Sequence, residues 1–126
     1  MSTLKVTNIQ ATGETASRAV SGVAAAWCNF NGTGTVAVRD STNVASVTDS
    51  GLGNFRVNYT SDMANSDYSA TFGGKWSTSV RTWYNAGNTS HPNPSTSSVT
   101  FAAYSDGTSA FVDAEYHFIT IHGDLA

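Results

Sequence analysis

Apolar and polar residues alternate along much of this chain with a period of two, the spacing of side chains on a strand that buries one face. The clearest case is Asn54 to Thr60, where Phe55, Val57 and Tyr59 fall on one side and Asn54, Arg56, Asn58 and Thr60 on the other. Shorter runs at Leu4 to Ile9, Thr35 to Arg39, Tyr68 to Phe72 and Val80 to Tyr84 predict further strands. Val23 to Phe30 differs because it is apolar on both sides, with Ala25 and Trp27 on one and Ala26, Cys28 and Phe30 on the other. Such a strand is expected to be covered on both sides, and in a small sandwich a neighbouring subunit can supply the second cover. Its flanks, Gly22 and Asn31-Gly32, favour a strand over a short helix.

Turns are predicted at Asn31 to Gly34, Asp49 to Gly53 and Gly73-Gly74. Asp106-Gly107 suits a two-residue type I′ turn joining Ser98 to Ser105 with Thr108 to Glu115, which would set Ala103 against Ala110, Phe101 against Val112 and Val99 against Ala114. The longest irregular stretch, Asn85 to Ser97, holds both prolines, Pro92 and Pro94. A stretch of that length in a small domain is usually functional or disordered. No internal repeat or linker divides the chain, so residues 1–22 are read as an N-terminal strand and connection of the same domain that fills 23–126.

Composition extends this picture. Charged residues make up 12% of the chain, about half the roughly 25% usual for soluble domains, so Ser, Thr, Asn and Gly must keep the surface wet. The net charge is -3, and the six basic residues, Lys5, Arg18, Arg39, Arg56, Lys75 and Arg81, are nowhere adjacent. That pattern excludes the clustered cations of a nucleic-acid binder. Cys28 is the one cysteine, so no intrachain disulfide can form and a buried thiol is expected. No apolar run approaches the roughly 20 residues of a membrane span, and MSTLKVTNIQ lacks the apolar stretch of a signal peptide. An extracellular role would then be reached by a route other than secretion.

Candidate chemistry is sparse. The histidines are His91, His117 and His122, there is no G-x-S-x-G, and some Ser lies near some His by chance in a chain so rich in serine. Asp113, Glu115 and His117 stand at i, i+2 and i+4, spaced roughly 7 Å apart along one side of a strand, and could hold a divalent cation if another strand completed the shell. The plainer reading makes them the solvated half of a strand whose other half, Ile119 and Ile121, is buried. Asp40, Asp49, Asp62, Asp67 and Asp106 sit among turn-forming residues, where aspartate bonds the local backbone. We therefore expect no enzyme, cofactor or metal. Read as one strand, Trp76 to Tyr84 sets Trp83 beside Arg81 on a polar side, an arrangement suited to stacking on a sugar ring or anchoring a protein; the plainer reading packs Trp83 into the core or a subunit interface.

From Ala26 to Thr60 the chain reads AWCNFNGTGTVAVRDSTNVASVTDSGLGNFRVNYT. This resembles a segment of tailed-phage tail fibre proteins with the pattern A-W-x-N-F-N-G-x-G, then R-x-S-x-N-V-x-S, then T-D-x-G-x-G-x-[YF]-x-V-x-[FY]. Trp27, Asn29, Phe30, Asn31, Gly32, Arg39, Ser41, Asn43, Val44, Ser46, Thr48, Asp49, Gly51, Gly53, Phe55, Val57 and Tyr59 all fall in register. The likeness continues loosely through Met63 and Tyr68 and returns in Tyr116 to Gly123. Cys28 occupies a variable position, and residues 1–25 alone precede the pattern, which fits either a separate small virion protein or a piece of a longer fibre.

The resemblance implies a distal, trimeric, all-β domain, an antiparallel β-sandwich of jelly-roll type, that binds the bacterial host surface during attachment. Its expected partners are two further copies of itself, a bacterial surface glycan or outer-membrane protein, and other tail proteins of the virion. The stretch from Gly73 to Ser97 lies outside the likeness, so Trp76, Arg81, Trp83, Tyr84, His91 and Asn93 are the candidates for host contact. The alternative is a purely structural virion component, a capsid decoration or tail collar protein that binds no receptor.

Overall fold

A computed structural model describes residues 1–9, 12, 18–19, 22–76, 79–80, 94–105 and 110–126, with residues 18, 19, 76, 79 and 80 described by backbone. The strands are β1 (Asn8–Ile9), β2 (Arg18–Ala19), β3 (Ala24–Asn31), β4 (Ala37–Thr42), β5 (Val44–Asp49), β6 (Asn54–Tyr59), β7 (Ser69–Trp76), β8 (Ser79–Val80), β9 (Ser98–Ala102), β10 (Tyr104–Ser105), β11 (Ala110–Phe111) and β12 (Tyr116–His122). A five-stranded sheet runs in the order β4-β3-β12-β7-β8 and a three-stranded sheet in the order β5-β6-β9; β1-β2 and β10-β11 form small separate pairs. Every strand pairing is antiparallel. The fold is thus the expected all-β antiparallel sandwich.

Period-two alternation builds the core between the two sheets. Ala26, Cys28 and Phe30 from β3 and His117, Ile119 and Ile121 from β12 meet Phe55, Val57 and Tyr59 from β6 and Val99 and Phe101 from β9, all buried. The Phe30 ring meets Phe55 edge-on at 5.2 Å and Phe101 at 6.0 Å. Each large apolar side chain moved out of water here contributes roughly 2 to 3 kcal/mol, with a further increment for the edge-on ring geometry.

Three local devices fix this frame. Asn43 has a positive φ of 54° and joins β4 of one sheet to β5 of the other. Its side chain accepts from the Ser61 amide at 2.7 Å and donates to the Ser61 carbonyl at 3.1 Å, tying the corner to the end of β6. Asparagine tolerates this left-handed conformation better than other non-glycine residues. At Gly32, an added Cβ would fall 2.6 Å from His117 Nε2 and 2.7 Å from Phe55 Cζ, so only a glycine lets the chain cross the core there. The Asp49 carboxylate caps the next turn by accepting from the Gly51 amide at 2.9 Å, the local backbone role expected of turn aspartates.

Several expectations are corrected. Leu4 to Ile9 yields only the two-residue β1, and residues 1–9 are exposed, Leu4 by 85%. An isolated pair of this length buries too little to recruit the rest of the segment. Gly73 and Gly74 are not a turn but lie within β7, opposite Phe118 and His117. Glycine in a strand marks a place where a bulky neighbour is accommodated, and a Cβ on Gly73 would just touch the Phe118 ring, at 3.8 Å. Trp76 to Tyr84 is not one strand, because β7 and β8 pair antiparallel with Trp76 opposite Ser79.

The predicted long hairpin is also revised. Tyr104 pairs with Phe111 and Ser105 with Ala110, a shift of two residues from the expected register. Phe101 and Val99 face Phe55 and Val57 of β6 instead of Val112 and Ala114. Ala103 is the branch point, accepting from the Val112 amide at 3.0 Å while its own amide bonds the Gly53 carbonyl at 2.6 Å. Larger apolar partners across β6 outweigh the small Ala114. Asp106-Gly107 lies outside the described residues. Finally, β3 is buried on the inner side only, since Ala25, Trp27, Asn29 and Asn31 on its other side are half-buried.

Candidate functional site

The outer face of the five-stranded sheet carries aromatic and cationic side chains that the core does not use. Strand registers determine which residues share it. Tyr116 lies opposite Lys75, Phe118 lies between Asn29 and Gly73, and Thr120 lies between Trp27 and Thr71. Residues directly opposite across antiparallel strands point to the same side. Tyr116 and Phe118, two apart on β12, stack with centroids 6.3 Å apart and planes 25° from parallel. Phe118 is 44% exposed.

Arg39 reaches this face by way of a β-bulge. The pairs Asn29↔Asp40 and Phe30↔Val38 pass over Arg39, which is left unpaired in β4. Bulges re-aim a side chain and increase local twist. The Arg39 guanidinium carbon lies 4.2 Å from the centre of the Tyr116 ring, and its Nη1 donates to the Glu115 carbonyl at 2.7 Å and to Asn29 Oδ1 at 3.4 Å. From the other side of β12, the Lys75 ammonium lies 6.0 Å from the same ring centre. Both fall within cation–π range of about 6 Å, although an exposed contact of this kind is worth only about 0.5 to 1 kcal/mol. Two exposed carboxylates, Asp40 and Glu115, border the cluster. Asp40 accepts from the Ser41 amide at 2.9 Å.

Asp113, Glu115 and His117 are not brought together. The Asp113 carboxylate accepts from the Gly53 amide at 2.7 Å, Glu115 is exposed, and His117 is fully buried. β12 begins only at Tyr116, so the two acids precede the strand. His117 shares the buried side with Ile119 and Ile121, as residues two apart on a strand must, and it is not part of a solvated half. Among the described residues no group of three His, Cys, Asp or Glu side chains is arranged to hold a metal ion.

The buried polar groups serve packing. His117 stacks on Phe30 at 4.8 Å and contacts Phe55 and Phe101, while its Nε2 accepts from the Ala114 amide at 3.2 Å. Burial holds its pKa down to about 4, so the ring is neutral near pH 7. Burial likewise pushes the Cys28 thiol up to about 12, which keeps it out of thiolate chemistry.

Of the residues expected to contact a host, Arg81, Trp83, Tyr84, His91 and Asn93 lie outside the described residues. Trp76 ends β7, next to Lys75. Sequence reasoning missed Tyr116, Phe118 and Lys75. The alternation of YHFITIH already set Tyr116 and Phe118 on the side opposite Ile119 and Ile121, but nothing local told that this side would stay open. No protein-family model matches the chain, and no curated protein or solved structure was found to be similar to it.

Proposed function

We propose that this chain is the host-recognising distal domain of a tailed-phage tail fibre, binding a glycan or outer-membrane protein of the bacterial surface. The observation that carries this reading is the open aromatic face of the five-stranded sheet, with Phe118 exposed beside Tyr116 on an antiparallel frame. Preformed aromatic surface rimmed by polar groups is what both sugar rings and protein partners bind. The Ala26 to Thr60 resemblance supports the same reading from the sequence side. Binding rather than catalysis is favoured because His117 and Cys28, the most chemically capable described side chains inside the fold, are both buried.

Within this proposal the domain is a trimer in the virion. Leu4, Val6 and Ile9 on the exposed N-terminal segment provide apolar surface for association. Adsorption of the fluorescently labelled protein to a panel of bacterial strains tests the reading. At least one strain should be decorated, and Phe118→Ala should lower that adsorption at least about tenfold, the scale of losing one well-packed aromatic anchor. Light scattering should return the trimer mass. Full adsorption by both Phe118→Ala and Trp83→Ala would remove both surfaces from the site. Failure to decorate any strain, with the protein folded, would favour the decoration or collar alternative.

A further inference from the structure

We infer that the Arg39, Tyr116 and Lys75 cluster, with the Phe118 ring beside it, is a binding site for an acidic saccharide, a sugar ring carrying a carboxylate or phosphate. The inference rests on the host-recognition reading and narrows its ligand. Three observations converge on it. The first is charge: two of the chain's six basic residues come from β4 and β7, strands on opposite sides of β12, to a single tyrosine ring, in a protein whose net charge is -3.

The second is unused bonding capacity. Among the described residues, the Lys75 ammonium makes no hydrogen bond or ion pair, and the Arg39 guanidinium bonds through Nη1 to the Glu115 carbonyl and Asn29 Oδ1. Among the described residues neither cation is paired to a carboxylate, although Asp40 follows Arg39 and Glu115 precedes Tyr116. Arginine has five N–H donors in a planar fork that matches a carboxylate or phosphate, so the remaining edge of the guanidinium is available to an incoming anion. The carbonyl bond holds the fork in place while leaving its charge uncompensated.

The third is shape. Gly73 has no side chain beside Phe118, and Thr71 and Thr120 continue the same face with hydroxyls. A pyranose could lie with its C–H face on Phe118 and Tyr116, its hydroxyls toward the threonines and Asn29, and its acidic group between Arg39 and Lys75. A neutral sugar would use the rings but leave both cations without a partner.

Calorimetric titration at low ionic strength with trigalacturonate, its neutral counterpart trigalactose, and mannose 6-phosphate tests the inference on the intact chain. Trigalacturonate or mannose 6-phosphate should bind at least about tenfold more tightly than trigalactose, and raising the salt to 0.5 M should erase most of that advantage, since exposed charges are then largely screened. Which of the two anions binds distinguishes a uronic acid from a phosphorylated sugar. Lys75→Gln, which removes no internal bond, should lower acidic-sugar binding about fivefold or more, and Arg39→Gln should lower it further. Arg39→Lys should recover only part of the loss because the fork is gone.

Trigalactose binding should be lost in Phe118→Ala and kept in Lys75→Gln. Equal affinity for acidic and neutral sugars, no binding of either anion at 10 mM, or wild-type binding by both Lys75→Gln and Arg39→Gln would overturn the inference. A change in the mass of the particle in Lys75→Gln would do so as well, by making this face a contact between copies. If cell adsorption persists in the Arg39→Gln, Lys75→Gln double variant and fails in Phe118→Ala, the host-recognition reading stands while the acidic ligand falls. If the wild-type chain adsorbs to no cells, the reading itself fails whatever the sugars do.

Discussion

The two sides of β12 carry similar side chains in very different circumstances. Toward the core, His117, Ile119 and Ile121 are enclosed, and the imidazole is stacked among Phe30, Phe55 and Phe101. Toward the outside, Tyr116 and Phe118 stack on each other, with Arg39 and Lys75 over the tyrosine. The inner side is thus committed to stability, and the outer side is the one proposed for recognition. The same separation runs through the Ala26 to Thr60 segment. Phe30, Gly32, Asn43 and Phe55 hold the sandwich together, while Trp27, Asn29 and Arg39 belong to the open face.

The sharpest way to break this division is from inside. Phe30→Ala should destabilise the domain by about 4 kcal/mol, the usual cost of emptying a buried aromatic site. Urea unfolding at pH 7 measures it, and a loss under 1 kcal/mol would mean that Phe30 is not the centre of the core. Next in size is a pH effect. The folded state holds His117 neutral with a pKa of about 4 against an ordinary value of 6.5, so the unfolded chain binds the extra proton between those values. Stability from this group is complete above pH 6.5 and falls as pH is lowered, by about 3 kcal/mol at pH 4. His117→Leu should flatten this part of the profile even though it leaves the Ala114 amide without its acceptor. Parallel pH profiles for the two proteins would contradict the assignment.

A smaller effect is expected at the corner between the sheets. Asn43→Ala should cost about 2 kcal/mol, from the left-handed backbone and the two bonds to Ser61 together. Asn43→Gly should recover about half by relieving the backbone alone, and thermal melts of the pair separate the two contributions. The smallest change in stability belongs to the outer side, where Phe118→Ala should alter it by no more than about 0.5 kcal/mol, as for other exposed positions. A loss above 2 kcal/mol in chemical unfolding would return Phe118 to the structural residues and dissolve the contrast.

Much of the fold was legible because alternation is a local property. The inner side of β6 was read residue by residue from NFRVNYT, and β3, β7 and β12 were each anticipated in part. The errors lie where a strand chooses its neighbour. Ser98 to Ser105 was expected to fold back on the residues after Asp106-Gly107, yet β9 pairs with β6, more than forty residues earlier in the chain. Gly73-Gly74 looked like a turn because glycine usually punctuates, and it stayed in a strand because β12 ran alongside. His117 was expected on the solvated side with Asp113 and Glu115, yet on β12 it shares a side with Ile119 and Ile121, two and four residues on, while the two acids precede the strand.

By itself the sequence determined an all-β chain, its period-two faces, its neutral polar surface and the absence of an intrachain disulfide, all of which follow from residue type and the geometry of an extended backbone. Only the tertiary structure decided which faces meet. It brought His117 over Gly32, and through a bulge in β4 it carried Arg39 to the tyrosine that Lys75 approaches from β7. Those juxtapositions join residues from about 40 to 85 positions apart, and no local pattern encodes a neighbour that only closure of the sheet supplies.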